Sequence, residues 1–269
     1  MSARPRLDRP PVRTAHLSSV TQALFVTIGE LVVAFADIPW TIVGGQMVFL
    51  HGLENETAPS RVTTDIDTAV DVRAAPNGVS ATVKALHDLG YASAGTSPEG
   101  RAYRFIRGES DIVDIEGDEL DAPKDSVDLL VADNLGPRAR LDTVGGGKAF
   151  ETPGVHQALG RTELVPVEAG TDLVFVPRPN LLGAIVAKAT AADVDAQDPG
   201  RHISDVVFLS SLISDPFAMS DGLTASDRRR LGRLLDIVPL EDPRWRIEDG
   251  ARQNMALLTD LDGLPPDDK

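Results

Sequence analysis

The sequence predicts an α+β protein: a mixed β-sheet with flanking helices, a small β insertion and a helical C-terminal half. Three observations predict this class. Short apolar stretches with strand-like alternation recur in the first half, at residues 62–72 and 127–133. Amphipathic stretches with helical spacing lie among them, as at 16–37 and 76–91. From Asn180 onward the apolar spacing is helical throughout.

In chain order, the first expected element is a helix over 16–37, whose apolar stripe includes Leu24, Ile28 and Phe35. WTIVGG, residues 40–45, indicates a short strand that ends in two glycines. QMVFLHGL then predicts a second helix, and ENETAPS a loop. The remaining elements of the first half are a strand at 62–72, a helix at 76–91, two strands joined by a tight turn at 102–108 and 111–117, and a strand at 127–133.

Residues 137–178 alternate in a way that is typical of a small β meander. Helices follow at 180–192, 201–214, 225–237 and 245–262, and Pro199-Gly200 separates the first two. We therefore expect four parts: a disordered tail at 1–13, a core at 14–136, a β-rich insertion at 137–179 and a helical C-terminal region at 180–269. The tail is basic and rich in proline, and without an adjacent apolar segment it is not expected to be a signal peptide.

Composition excludes several classes of function. The 269 residues carry a net charge of −15, so any nucleic-acid contact needs a local basic patch, for which Arg101, Arg104 and Arg107 are candidates. The longest apolar run, 23–43, is interrupted by charges and a proline, which argues against a membrane span. The chain has no cysteine, which excludes disulfides and thiolate metal sites, and we expect a cytoplasmic protein.

Two aspartates in the strand SRVTTDIDTAVDV are the main candidates for chemistry. Asp65 and Asp67 share one face, roughly 6.6 Å apart along the strand, while Ile66 and Thr68 face the core. The two carboxylates repel each other unless a cation lies between them. Carboxylates that bind magnesium beside substrate phosphates are typical of phosphoryl and nucleotidyl transfer. A solvated strand face is the alternative.

Gly44 and Gly45 lie about twenty residues upstream of the two aspartates, at a predicted strand-to-helix turn. Glycines in such a turn let backbone N–H groups approach a phosphate, and a helix N-terminus favours an anion. A plain tight turn is the alternative. The second glycine cluster, TVGGGKAF at 143–150, fails as a P-loop because Asp142 and Ala149 stand where glycine and Ser or Thr are required.

A third carboxylate would complete a metal site, and DIVDIEG supplies Asp114 between two apolar neighbours. Asp111 and Glu116 compete with it, and a charge on an edge strand is the alternative. Lys188 lies on the apolar stripe of its helix, where its ammonium either extends to water or points into a cleft suited to a triphosphate. Asp205 either orients Lys188 or Arg201 or forms a structural ion pair.

Over residues 40–215 these motifs resemble the polymerase-β-like nucleotidyltransferase superfamily, which has a nucleotidyltransferase-like mixed sheet. The stretch from Val43-Gly44-Gly45 to RVTTDID is most similar to the AbiEii-like toxins of toxin–antitoxin systems. Val113-Asp114-Ile115 resembles the third-acid strand, Lys188 the helical lysine of that branch, and RHISD, ending at Asp205, its late acidic element. The chain departs from the pattern where Gly45 replaces a common serine and His202 replaces an acid, and it lacks the arginine often found after the lysine.

The resemblance implies an enzyme that moves a nucleotide from an NTP to an acceptor hydroxyl, with tRNA 3′ ends as the acceptor and a cognate antitoxin as a partner. It implies that Asp65, Asp67 and Asp114 hold Mg²⁺ and that Asp114 is the third ligand or the base. It also implies catalytic roles for Lys188 and Asp205. Nucleotide contacts are implied for Gly44, Gly45, Arg61, Thr64 and Lys188. A small hydroxylated acceptor, as in aminoglycoside nucleotidyltransferases, and an inactive nucleotide- or partner-binding module are the alternatives.

Overall fold

The computed structural model describes residues 4–59, 63, 65–97, 99–108 and 125–259. It confirms the α+β class, with a mixed sheet between helices. The first half contains α1 (Ser19–Ala34), β1 (Trp40–Ile42), α2 (Gly44–Glu54), β2 (Ile66–Val70), α3 (Gly78–Asp88), β3 (Ala92–Ser93), β4 (Arg104–Arg107), β5 (Asp125–Ala132) and β6 (Phe150–Thr152). The strand expected at 111–117 lies outside the described residues.

The second half begins with a helix and a hairpin and continues as helices. Its elements are α4 (Val155–Gly160), β7 (Thr162–Ala169), β8 (Asp172–Pro179), α5 (Leu181–Val194), α6 (Pro199–Ser211), α7 (Pro216–Ser220), α8 (Ala225–Ile237), a 3₁₀ turn (Pro243–Arg246) and α9 (Ala251–Thr259). The starts of these helices have local chemical causes. Asn180 accepts a hydrogen bond from Gly183 N, Asp198 accepts one from Arg201 N, and Thr224 and Asp227 form a capping box.

β5 is the strand that organises the site. The main sheet has the order β1-β2-β5-β4-β3, and β6 also pairs with β5. β2 lies parallel to β5, whereas β4 lies antiparallel to the first half of β5 and β6 parallel to its second half. In this register Asp67 stands opposite Asp128. Ile66, Thr68 and Ala69 are buried on both faces of β2, so the strand is covered on each side, as parallel pairing requires.

Residues 4–13, the described part of the tail expected to be disordered over 1–13, are ordered against the hairpin. Leu7 N donates to Leu164 O (3.0 Å) and Val12 N to Pro166 O (2.9 Å), so this segment runs along β7. Arg9 donates to the buried carboxylate of Glu54, which also accepts from Arg178. A basic, proline-rich composition therefore does not prevent order here, because an unpaired strand edge and a buried acid both bind the segment.

The expected β insertion over 137–179 is divided between two sheets. β6 joins the main sheet through β5, whereas β7 and β8 form a separate hairpin that packs on α1 and β1. One buried apolar cluster extends from Val12 to Leu258 and joins the sheet, the hairpin and the C-terminal helices. In the part of the chain that the structure describes, no helix has the length and apolar character needed to cross a bilayer.

Candidate functional site

A cavity of about 780 Å³ lies between the main sheet and helices α5 and α6. Its walls come from both halves of the chain, so it is formed only when the helical half folds onto the sheet. The polar side chains and turn glycines that line it include Gly44, Gly45, Thr63, Asp65, Asp67, Arg104, Asp128, Lys188, Asp195, Arg201 and His202.

Gly44 brings the glycine turn into contact with the aspartate strand. It has φ 64°, in the left-handed region, and a Cβ built on it would lie 1.7 Å from Asp67 Oδ2. Val43 N donates to Asp67 O at 2.9 Å, which fixes the turn against β2. Among the described residues no side chain caps the N-terminus of α2. The first N–H groups of α2 are thus next to the carboxylates, in a place that suits an anionic group.

Asp65 and Asp67 both line the cavity, as the strand pattern predicts. Burial, and then the negative charges of Asp128 and Asp65, raise the pKa of Asp67 to about 6 against the opposing charges of Lys188 and Arg104. Asp65 accepts a hydrogen bond from the Ser126 hydroxyl. The charged form of the Asp67 carboxyl is therefore disfavoured in this site, mainly because the group is buried.

Asp128 is the acid that the structure places beside Asp67. It is 6% exposed, and Arg104 donates to both of its carboxylate oxygens at 2.8 Å. Arg104 Nη2 also lies 3.8 Å from Asp65 Oδ2. The hydrogen bonds to Asp128 raise the pKa of the Arg104 guanidinium, which therefore stays charged and holds the two acids together.

The sequence pattern that favours Asp114 applies equally to Asp128, which we did not single out. In SVDLLVA an acid stands between apolar residues on a strand more apolar than DIVDIEG. Asp114, its competitors Asp111 and Glu116, and the nucleotide-contact candidates Arg61 and Thr64 lie outside the described residues, so their roles remain predictions. The neighbouring Thr63 lines the cavity, and its carbonyl accepts a hydrogen bond from Gln46.

Lys188 and Asp205 form a buried ion pair between α5 and α6. Lys188 Nζ lies 2.6 Å from Asp205 Oδ2, and the two side chains are 6% and 7% exposed. Lys188 lines the cavity instead of extending its ammonium to bulk water. Asp205 therefore orients Lys188 and not Arg201, which pairs with Asp195.

Removing one member of this pair should destabilise the protein strongly. We expect Asp205→Ala to lower the free energy of unfolding by about 3–5 kcal/mol, because it leaves an uncompensated buried ammonium. Urea denaturation measures the change. Asp88→Ala is the control, since it breaks the exposed Lys84–Asp88 pair and should change stability little. Equal effects of the two substitutions would contradict a buried, structurally important pair.

Asp195 organises the cavity wall next to Lys188. Its Oδ2 lies 2.7 Å from Arg201 Nη2 and 3.0 Å from His202 Nε2. The backbone N–H of Asp198 and the Arg201 guanidinium hold the pKa of Asp195 well below its usual range. Burial, and then the charge of Lys188, lower the pKa of His202. His202 thus replaces the expected acid with a neutral ring that is held in place by a carboxylate.

The three arginines proposed as a basic patch do not form a common face. Arg107 pairs with Glu30 (2.6 Å) and Asp125 (2.9 Å), and Arg104 binds Asp128. Arg101 lies over the ring of Phe150, 4.6 Å from its centroid. Two of these three charges are therefore paired with acids, which weakens the case for a basic patch on this strand.

The donors at this site fit a magnesium ion that is shared with substrate phosphates. Within the described ranges no three acidic or histidine side chains already converge as a metal cage. Asp65 and Asp67 could supply hard carboxylate oxygens, and a cation would offset the burial and the neighbouring negative charges that raise the pKa of Asp67. Mg²⁺ commonly takes one or two carboxylates together with phosphates and water, so a two-carboxylate platform is sufficient.

The raised pKa of Asp67 has a measurable effect on stability. In chelator-treated protein the folded state holds this proton up to about pH 6, whereas the unfolded chain releases it near pH 4. The folded state binds more protons in this window, so the contribution of Asp67 to the free energy of unfolding should fall as pH rises from about 4 to 6. We expect the difference between wild type and Asp67→Asn in urea denaturation to show this decline. A difference that is constant across the window would contradict it.

No family model matches the chain, and no curated protein matches it. The chain is similar to the crystal structure of an antigenic nucleotidyltransferase-like protein from Paracoccidioides brasiliensis, with 14% identity and a TM-score of 0.47 over 86% of this chain and 95% of the other. It is also similar to the solution structure of the antibiotic-resistance factor ANT(2″)-Ia, with 13% identity and a TM-score of 0.38 over 82% and 92%.

Proposed function

We propose that this cavity transfers a nucleotide from a magnesium-bound NTP to an acceptor hydroxyl. The observation that carries the proposal is the contact between Gly44 and Asp67. It places an uncapped helix N-terminus, suited to phosphates, against a pair of carboxylates suited to a cation. Such a combination serves a substrate that is both anionic and metal-bound, and a nucleoside triphosphate is such a substrate.

The glycine turn, the two aspartates and Lys188 have separate roles in this proposal. The N–H groups at Gly44 and Gly45 hold the triphosphate, and Asp65 and Asp67 would hold Mg²⁺. When bound, Mg²⁺ supplies charge neutralisation at the phosphates. Lys188, oriented by Asp205, faces the charge that develops on the departing pyrophosphate.

The reaction joins the acceptor oxygen to the α-phosphorus and breaks the bond between that phosphorus and the bridging oxygen of the β-phosphate, so that pyrophosphate leaves. The acceptor hydroxyl must lose its proton. We propose that Asp128 receives it once Arg104 releases one of its oxygens, while the role of Asp114 as third ligand or base stays a prediction. Most of the rate enhancement would come from positioning and electrostatics.

We further propose that the acceptor is the 3′ end of a tRNA, that the chain acts as a toxin, and that an antitoxin neutralises it. The resemblance of its motifs to AbiEii-like toxins supports this. The test is transfer of α-labelled nucleotide, supplied as each NTP with Mg²⁺, to total tRNA and to periodate-oxidised tRNA that lacks the terminal diol. We expect label on the intact tRNA only. Label on aminoglycosides instead would identify a small-molecule enzyme.

A nucleotide-binding module without activity is the second candidate. The observation that favours it is Arg104, which engages both oxygens of Asp128. NTP binding by calorimetry without pyrophosphate release, across all four NTPs and all acceptors, would establish the module. Growth arrest on expression, relieved by Asp67→Asn, would support the enzyme.

A further inference from the structure

Two aromatic rings form part of the wall of the main cavity. The centroids of Tyr103 and Phe150 are 5.1 Å apart with a 44° tilt, and both side chains are half-buried. The guanidinium of Arg101 lies over the ring of Phe150, 4.6 Å from its centroid. Aromatic residues make up only 4% of this chain, and among the described residues these two are the ones of Phe, Tyr and Trp type that line the cavity.

The strand that carries Asp128 holds this pair. Leu129 N donates to Tyr103 O at 2.8 Å, and Phe150 is the register partner of Leu130. Phe150 also packs on the apolar cluster around Leu130. The rings therefore belong to β5 and its neighbours, and their distance from the carboxylates is set by sheet hydrogen bonds. A site built on strands in this way holds a ligand more reproducibly than one built on a loop.

The order of the strands indicates which part of the reaction the rings serve. Gly44 and Gly45 follow β1, the carboxylates stand on β2 and β5, and the rings lie on the far side, at β4 and β6. In an in-line displacement the attacking oxygen and the leaving pyrophosphate lie on opposite sides of the transferred phosphorus. With the triphosphate at the glycine turn, the acceptor approaches from the side of the rings.

We propose that Tyr103 and Phe150 stack the terminal nucleobase of a nucleic-acid acceptor and so position its 3′ hydroxyl. This rests on the proposed nucleotidyl transfer and names the site for its acceptor. Stacking on aromatic rings suits any base, because every base has a π-face, and Arg101 adds a cation–π contact to the Phe150 ring.

A neighbouring cavity is lined by arginine side chains, which suit the phosphates of an acceptor polymer. β6 leads from Phe150 towards Pro153, which lines both the main cavity and a second cavity of about 210 Å³. Arg229, Arg230 and Arg233 of α8 line the second cavity, together with Asp133 and Asp193. From Phe150 to Pro153 the chain extends roughly 10 Å at the rise of a strand, a length that suits the step from a terminal base to a preceding phosphate. Arg233 is paired with Asp193 at 3.2 Å, so Arg229 and Arg230 are the side chains that we assign to a phosphate backbone of the acceptor.

The test uses a short single-stranded RNA with 2-aminopurine at its 3′ end, together with the same RNA whose terminal residue is abasic. Binding is measured by anisotropy with Mg²⁺ present, and the KM values for acceptor and NTP are measured separately. We expect Tyr103→Leu to weaken binding of the 2-aminopurine RNA by about 5- to 150-fold and to raise the acceptor KM, with the NTP KM unchanged. Tyr103→Phe keeps the ring and should bind as wild type does.

The abasic RNA isolates stacking from other effects of the substitution. Wild type and Tyr103→Leu should bind the abasic RNA equally, because this RNA has no terminal base that could stack on the ring. Phe150→Leu should likewise weaken binding of the 2-aminopurine RNA and leave binding of the abasic RNA unchanged. Thermal denaturation verifies that each variant is folded. Unchanged binding of the 2-aminopurine RNA by both leucine variants, or a raised KM for NTP in place of acceptor, would overturn the proposal.

The outcomes also separate this site from the reaction itself. Ring-dependent RNA binding without pyrophosphate release from any NTP would support the stacking site and contradict the proposed transferase. Nucleotide transfer that is insensitive to Tyr103→Leu and Phe150→Leu would support the transferase and contradict the stacking site.

Discussion

Asp67→Asn should lower nucleotidyl transfer by roughly a thousandfold while the protein remains folded, since a metal-bound carboxylate contributes several kcal/mol to the transition state. Asp67 lies against Gly44 and opposite Asp128, and burial and neighbouring negative charges raise its pKa to about 6. Asparagine keeps the shape of the side chain but removes the charge that a cation requires. Pyrophosphate release at saturating Mg²⁺ measures the loss.

The same substitution should not weaken the fold. It removes the repulsion that Asp128 and Asp65 exert on the Asp67 carboxylate, so the melting temperature of chelator-treated protein above pH 6 should equal or exceed that of wild type. Asp172→Asn, an identical change at the exposed start of β8, is the control and should leave transfer unchanged. Retention of more than a tenth of wild-type activity by the Asp67 variant would contradict the proposed role.

Gly44→Ala should lower transfer by about a hundredfold or more, because a reacting group displaced by about 1 Å costs that much. The new methyl group would lie 1.7 Å from Asp67 Oδ2, so either the carboxylate or the turn must move. The left-handed backbone at φ 64° adds a destabilisation of about 1–2 kcal/mol. Steady-state kinetics and urea denaturation measure the two effects separately.

Gly145→Ala separates the steric effect from the backbone strain. Gly145 has φ 62°, close to that of Gly44, but a Cβ there meets nothing within 4 Å in the described chain. It should lose a similar amount of stability and keep full activity. Equal activity losses in the two variants would show that strain, and not contact with Asp67, makes Gly44 necessary.

The parts of the site that are local in sequence could be predicted. Asp65 and Asp67 are two residues apart, and Gly44 precedes them across one helix and a loop, so strand periodicity and turn chemistry indicated them. The helical spacing of apolar residues in α5 placed Lys188 on the apolar stripe of that helix and so made it a candidate. Each of these predictions needed only the geometry of a single element or of one turn.

The parts that depend on pairing between distant strands could not be predicted. Asp128 becomes a site residue because β2 pairs with β5 in one register, and a shift by one residue would place Val127 opposite Asp67. Arg104 reaches Asp128 through a second register, between β4 and β5. Sequence periodicity states which face a residue occupies but not which residue of another strand lies opposite.

The order of the N-terminal segment has a similar cause. Val12 is buried because it pairs with the outer edge of β7. Arg9 forms an ion pair with Glu54, which is buried and also pairs with Arg178. Neither partner is visible in the composition of the first residues. A proline-rich segment is expected to be disordered only where nothing else in the fold binds it.

The most direct measurement of the central claim is the stoichiometry of pyrophosphate release and nucleotide transfer. Wild type is incubated with each α-labelled NTP and total tRNA, with and without Mg²⁺, in parallel with Asp67→Asn. We expect one pyrophosphate for each labelled nucleotide joined to acceptor, only with the divalent ion and only in wild type. No release with any NTP, or equal release by Asp67→Asn, would contradict a nucleotidyl-transfer site at Gly44, Asp65 and Asp67.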